Sequence, residues 1–114
     1  MKAKEDIFLR ALGNTPQTRL LGYLLIGRGL DYSLSDMVRG AEMSWSTLHR
    51  IFPELEKQGI VVKTREIGRA KLYKLNEKNP FVKQLIELEK TLINQVILEA
   101  KEKYSEKAVA VSKR

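Results

Sequence analysis

Apolar residues recur three and four apart through most of the chain and two apart in one stretch only. Between Ala3 and Leu12, Ile7, Phe8, Ala11 and Leu12 gather on one side of a helix that Gly13-Asn14 closes. Thr15-Pro16 supplies an N-cap followed by proline at the first helical position. The helix it opens, Pro16 to Ile26, carries Leu20, Leu21, Tyr23, Leu24, Leu25 and Ile26 and is apolar on most sides, so it reads as the buried spine of a domain. Gly27-Arg28-Gly29 ends it and reads as a linker, lacking the further glycines or lysine of a phosphate loop. Ser33 or Ser35 caps a short helix through Arg39, with Leu34, Met37 and Val38 inward, and Gly40 to Met43 breaks it. Ser44 caps another helix running to about Gln58, where Gly59 supplies a left-handed stop. The result is a helix, a tight turn and a second helix.

From Ile60 the period changes. "IVVKTREIGRAKLYKL" is rich in β-branched and aromatic residues and is interrupted by Gly68, which predicts a hairpin. In its second strand Lys71, Tyr73 and Leu75 share one face and Ala70, Leu72 and Lys74 the other, so that strand is expected to be half covered. Asn79-Pro80 caps a last helix from about Phe81 to Tyr104, on the order of 36 Å long at 1.5 Å per residue. Its apolar residues spread over about half the circumference, wider than one seam requires. One part of this arc is expected to cover the domain, and Phe81, Leu85, Leu88, Leu92, Ile93 and Val96 to meet a second copy. Glu89 interrupts the arc, where a lone carboxylate would be costly; either it pairs with a lysine or arginine across a dimer, or the helix is exposed there.

Composition narrows the function. The chain has 114 residues, enough for one compact domain and an extra element, and its 43% hydrophobic and 31% charged residues are those of a folded globular protein. No apolar run approaches the roughly 18 residues of a membrane span. "MKAK" is followed by "EDIF", acids where a secretory signal would be apolar, so a cytoplasmic protein is expected. With no cysteine, disulfides, thiolate nucleophiles and cysteine-ligated metals are excluded, and a single histidine argues against a histidine-rich metal site. Asp6, Asp31 and Asp36 are scattered and the histidine falls on an exposed helix face, so no nucleophile finds its base; neither an enzyme nor a cofactor is expected.

Twenty-one basic residues against fourteen acidic leave a net charge of +7, which favours a polyanionic partner. The decapeptide "MSWSTLHRIF", residues 43–52, shows how one could be met. On a helix capped by Ser44, Leu48, Ile51, Phe52 and Leu55 fall inward, Ser46, His49, Arg50 and Pro53 outward, and Trp45 and Thr47 at the borders. A guanidinium, an imidazole and hydroxyls on one exposed face suit base edges in a major groove, where arginine pairs bidentately with guanine. Arg50 is the first candidate for that role. His49 suits a base acceptor or a phosphate, Ser46 and Thr47 phosphates, Trp45 a thymine methyl or the sugar-phosphate edge, and the amides near Ser44 a phosphate. The plainer alternatives are that Trp45 is the outer rim of the core and His49 a solvated surface residue. Pro53 removes the hydrogen bond to the carbonyl of His49 and is expected to bend the helix. The hairpin carries Lys63, Arg65, Arg69, Lys71 and Lys74 against one acid, Glu66. Such a run is either a solvated face or, coming directly after a helix-turn-helix, a phosphate-gripping wing.

This order of elements resembles the winged helix-turn-helix transcriptional regulators, and more narrowly the small archaeal kind related to the arsenical-resistance and multiple-antibiotic-resistance repressor families. The residues that carry the resemblance are "SLSDMVRGAEMSWSTLHRIFPELEKQGIVV" and "GRAKLYKL", with the opening "LGNTPQTRLLGYLL" and the long helix after "NP". It implies a mainly α fold with a small β-hairpin and a long C-terminal dimerisation helix, divided into residues 1–78 for DNA binding, 79–104 for dimerisation with some help from the first helix, and a flexible tail over 105–114. It further implies a homodimer that regulates transcription by binding double-stranded DNA at a near-palindromic site. Ser46, His49 and Arg50 then match the reading positions and Arg69 the wing tip. The alternative is a winged helix used as a protein-interaction module of a larger assembly. Two departures from the pattern stand out: Glu42 occupies a turn position usually held by glycine, and the cysteines and histidines of metal-sensing members are absent.

Overall fold

The computed structural model describes residues 7–112, which run α1 (Ile7–Leu12), α2 (Pro16–Ile26), β1 (Tyr32–Ser33), α3 (Leu34–Gly40), α4 (Trp45–Lys57), β2 (Val61–Ile67), β3 (Ala70–Leu75) and α5 (Pro80–Ser112). The expected start of the first helix at Ala3 lies outside the described residues. Helix α2 begins at Pro16 because Thr15 and Thr18 cap each other: the Thr15 hydroxyl accepts from the Thr18 amide at 3.1 Å, and the Thr18 hydroxyl from the Thr15 amide at 2.8 Å. Ser33, and not Ser35, caps α3. Its hydroxyl accepts from the Asp36 amide at 3.1 Å, and the Asp36 carboxylate accepts from the Ser33 amide at 2.9 Å. Helix α3 lies hard against α2 because Gly40 has no Cβ; the Tyr23 ring occupies the place where one would stand.

The sheet has the order β1-β3-β2, antiparallel throughout. Strand β1, two residues that pair with Tyr73 and Leu72, was not predicted from the sequence. The hairpin turns at Gly68, whose φ of 60° is left-handed. Tyr73 and Leu75 join the core while Leu72, on the opposite face, is buried apart from it. In β2, Lys63 stands opposite Tyr73 and Arg65 opposite Leu72, so Thr64 is an extra residue in a bulge.

The core forms where α1, α2, α3, α4 and β3 meet. Phe8, Leu20, Leu24, Leu25, Met37, Leu48 and Leu75 are fully buried, and Phe52 meets Tyr73 edge to face at 4.8 Å. Each such side chain contributes about 1.5–3 kcal/mol on leaving water. The start of α5 closes this core: Val82 and Leu85 belong to it, and Ile86, Leu88 and Leu92 pack against it. Leu85, expected at a dimer interface, is therefore buried within its own chain, at 7% exposure.

Beyond Leu92 the helix leaves the domain. It continues through Ser112, past the expected end at Tyr104, because "KEKYSEKAVAVS" is rich in helix formers and has neither glycine nor proline. Residues 105–112, expected as a tail, are thus helical. No helix among the described residues is long and apolar enough to cross a membrane.

Glu89 is explained by neither expectation. It is 8% exposed and pairs within its own chain, with Arg28 Nη1 at 2.7 Å. The same nitrogen donates to the Leu25 carbonyl at 2.8 Å, which anchors the guanidinium at the end of α2. Arg28 is therefore more than linker; its charge compensates a carboxylate on an otherwise apolar face.

Candidate nucleic-acid interface

Helix α4 starts at a knot of hydroxyls. Ser44 accepts from the Thr47 amide at 3.1 Å, donates to the Thr47 hydroxyl at 2.9 Å, and lies 3.1 Å from the Ser46 hydroxyl. The cap fixes the helix start, and the 3.6-residue period does the rest. Leu48, Phe52 and Leu55 are buried and Ile51 half-buried, while Trp45, Ser46, His49, Arg50 and Pro53 are exposed and Thr47 is half-buried. Helix α4 runs unbroken through Pro53 to Lys57. Trp45, 45% exposed, stacks on His49 with ring centroids 5.7 Å apart and planes 28° from parallel. The spacing of four residues allows this contact on any helix. His49 is thus exposed but held by its neighbour.

Glu42 stands in the turn where the resemblance implies glycine, and the turn keeps the left-handed backbone of such a position. Glu42 has φ 53°, inside the left-handed region, which costs a residue with a Cβ about 1 kcal/mol.

The hairpin cations separate into two groups. Lys63 pairs with Glu66 at 2.7 Å. Hydrogen bonding to Glu66 raises the Lys63 pKa, and the same bond lowers that of Glu66. The Thr64 bulge breaks the alternation, so Arg65 points to the face opposite Lys63. Tyr73, opposite Lys63, packs on Phe52 of α4, so the Lys63 face is the one toward α4 and Arg65 faces away from it. There Arg65 makes a two-pronged pair with Asp31, Nε to Oδ2 at 2.9 Å and Nη2 to Oδ1 at 3.2 Å, and the Thr64 hydroxyl donates to the same carboxylate at 2.6 Å. The Arg65 hydrogen bond foremost, then that of Thr64, holds the Asp31 carboxyl below its ordinary value. The bulge thus sets Arg65, expected among the wing cations, on the other face of the sheet from Lys63, where its pair with Asp31 links β2 to the loop before β1.

Arg69 and Lys71 make no ion pair among the described residues. With Ala70, Tyr73, Ser33, Leu34 and Ser35 they line an open cleft of about 300 Å³ whose other wall is Trp45. The hairpin tip and Trp45, at the start of α4, therefore flank one depression. Lys74 is half-buried on β3.

The residues expected at a dimer interface divide as well. Phe81, Ile93 and Val96 are exposed, Leu88 and Leu92 half-buried against the chain's own core, and Leu85 buried in it. An open groove runs between α1 and α5, lined by Ile7, Ala11, Leu92 and Val96 among others.

No protein-family model matches the chain, nor does any curated protein sequence. Solved structures do match. A MarR family transcriptional regulator from Silicibacter pomeroyi aligns with a TM-score of 0.51 at 18% identity, over 91% of this chain and 70% of that one. MepR of Staphylococcus aureus, in its complex with DNA, aligns with a TM-score of 0.59 at 18% identity, over 97% of this chain and 90% of that one. The chain has the winged helix-turn-helix fold. NadR in complex with 4-hydroxyphenylacetate shares this winged helix with a TM-score of 0.55 at 22% identity, over 93% of this chain and 78% of that one. In winged-helix terms α3, the Glu42 turn and α4 are the helix-turn-helix, β2 and β3 the wing, and α5 the long C-terminal helix. Two features of this winged helix escaped the sequence: Asp31 as the anchor of the wing base, and Arg19, which reaches the Glu42 turn from α2.

Proposed function

We propose that this winged helix is a transcription regulator that binds double-stranded DNA sequence-specifically, as a homodimer, on a near-palindromic site. The observation that carries the reading is the depression shared by Trp45 of α4 and the wing cations Arg69 and Lys71, which make no ion pair among the described residues. A helix fits the B-DNA major groove, and a cationic hairpin beside it then meets the flanking phosphates. Arg50 reads a guanine, Ser46 and His49 contact base edges or phosphates, and Arg69 and Lys71 grip the backbone, with Lys63 close by on the same face of the sheet. MepR, a structure with the same fold, is known in complex with DNA. Such a role belongs in the cytoplasm.

The second copy is expected along the exposed stripe of Ile93, Val96 and Ile97, which meets the groove between α1 and α5 at Val96, with Phe81 exposed at the start of the same helix. A stripe of this kind left in water is uncommon on monomers. Two-fold symmetry then places half-sites roughly 34 Å apart, one helical turn of DNA.

Selection of bound duplexes from a random pool tests binding, symmetry and spacing together. A two-fold motif is the expected result. A protein-interaction module using the same basic face on an acidic partner would enrich no motif, and a mobility shift at moderate salt would show no duplex preference.

A further inference from the structure

The turn between α3 and α4 sets where the reading helix points, and a side chain from a third helix holds that turn. At Glu42 the chain is left-handed, which directs the carbonyls of Ala41 and Glu42 away from the helical ladder. Among the described residues no backbone amide outside the regular helices and strands donates to either oxygen. Arg19 of α2 supplies both missing partners: Nε donates to the Ala41 carbonyl at 2.9 Å and Nη2 to the Glu42 carbonyl at 3.2 Å. Its third nitrogen, Nη1, donates to Asn14 Oδ1 at 2.8 Å in the corner between α1 and α2.

That corner is itself well fixed. Gly13 donates to the Leu9 carbonyl at 2.8 Å, and the Thr18 hydroxyl donates to the Gly13 carbonyl at 2.7 Å. The guanidinium is a planar fork whose donors point in set directions, so tethering one nitrogen orients the other two. A lysine ammonium at the same place has one charge centre and no such fork.

We propose that Arg19 is a positioning residue for base reading: by clamping both carbonyls of the left-handed turn, it fixes the angle at which α4 presents Ser46, His49 and Arg50. The proposal rests on the DNA-binding reading above. Arg19 touches no DNA in it. Its removal therefore blurs which bases are preferred and leaves the number of phosphate contacts alone.

The test compares wild type, Arg19→Met, Arg19→Lys and Asn14→Ala in two measurements, random-pool selection with salt titration and amide hydrogen exchange without DNA. Arg19→Met is expected to lower affinity for the wild-type consensus about tenfold, the size of one lost base contact, because the freed turn lets α4 leave its reading angle. It should flatten the base preference, keep the salt slope, and speed exchange at Glu42 and Met43. Arg19→Lys should recover part of each effect. Wild-type base preference together with wild-type exchange in Arg19→Met overturns the proposal. If Arg19→Met does not fold, Asn14→Ala decides: it removes one bond of the three, and unchanged exchange at Glu42 overturns the clamp. Wild-type protein that binds no duplex sinks the proposed function instead, and the exchange rates still decide whether Arg19 holds the turn.

Discussion

Arg28 Nη1 lies 2.7 Å from Oε1 of Glu89, which joins the segment just after α2 to the first third of α5. Removing one partner of a largely buried pair leaves the other uncompensated. Because Arg28 retains some exposure, Glu89→Ala is expected to cost the lower part of the usual range, about 2 kcal/mol, in urea unfolding. Arg28→Ala should cost a comparable amount and the double variant little more. Strictly additive costs would show that the two side chains act independently.

The two groups of cations in the proposed interface should behave differently. Arg50→Ala is expected to weaken consensus binding by about 1–3 kcal/mol and to blur one base pair, whereas Arg69→Ala should weaken all sequences alike and reduce the salt slope by about 1. Arg65→Ala is the internal control. Its guanidinium is committed to Asp31 on the other face of the sheet, so the salt slope should hardly move. A drop with Arg65→Ala equal to that with Arg69→Ala would mean that the wing lies on DNA by its opposite face.

Asp31 gives the wing base a pH dependence whose sign is fixed. Its folded pKa is lowered from 3.8, first by the hydrogen bond from Arg65 and then by that from Thr64. A group depressed in this way contributes stability that is fully present above its unfolded value and is lost as pH falls through the folded value. Wild type should therefore exceed Asp31→Asn in stability by a constant margin near neutral pH, and the margin should close only below about pH 3.8. Urea titrations across that range measure it. A margin that closes already near pH 6 would assign the effect to another group.

Val96 and Leu85 distinguish the two duties of α5. Val96 is 45% exposed and Leu85 7%. Val96→Glu is expected to sediment as a folded monomer, and Leu85→Glu to lose the cooperative fold, since it buries an unpaired carboxylate in the chain's own core. A Val96→Glu protein that keeps the mass of a wild-type dimer would place the interface elsewhere.

Helix starts and stops were legible because a few residue types carry them. Thr15-Pro16, Ser44, Gly59, Gly68 and Asn79-Pro80 each mark a boundary that the structure keeps within a residue or two. The outward direction of Ser46, His49 and Arg50, the positions proposed to read DNA, followed from the same helical period. What stayed hidden needed contacts between distant parts of the chain. Strand β1 has two residues, too few for any period to show. Arg28 is 61 positions from Glu89. The direction of Arg65 depends on one bulged residue, Thr64, which reverses every side chain after it and leaves no mark in the pattern. Leu85 went to the wrong neighbour because a broad apolar arc does not reveal where the chain's own core ends. Arg19 alone left a trace: a cation directly before Leu20 and Leu21, on the most buried helix of the chain, needs carbonyl partners nearby.

The chain has one tryptophan, and that indole lies half open to water against an imidazole, on the surface argued to enter the groove. Ultraviolet light absorbed beyond the tyrosine range is therefore re-emitted from a single spot. Any duplex settling there should shift the colour or brightness of that glow, so the molecule brings its own lamp to a binding titration and needs no attached dye.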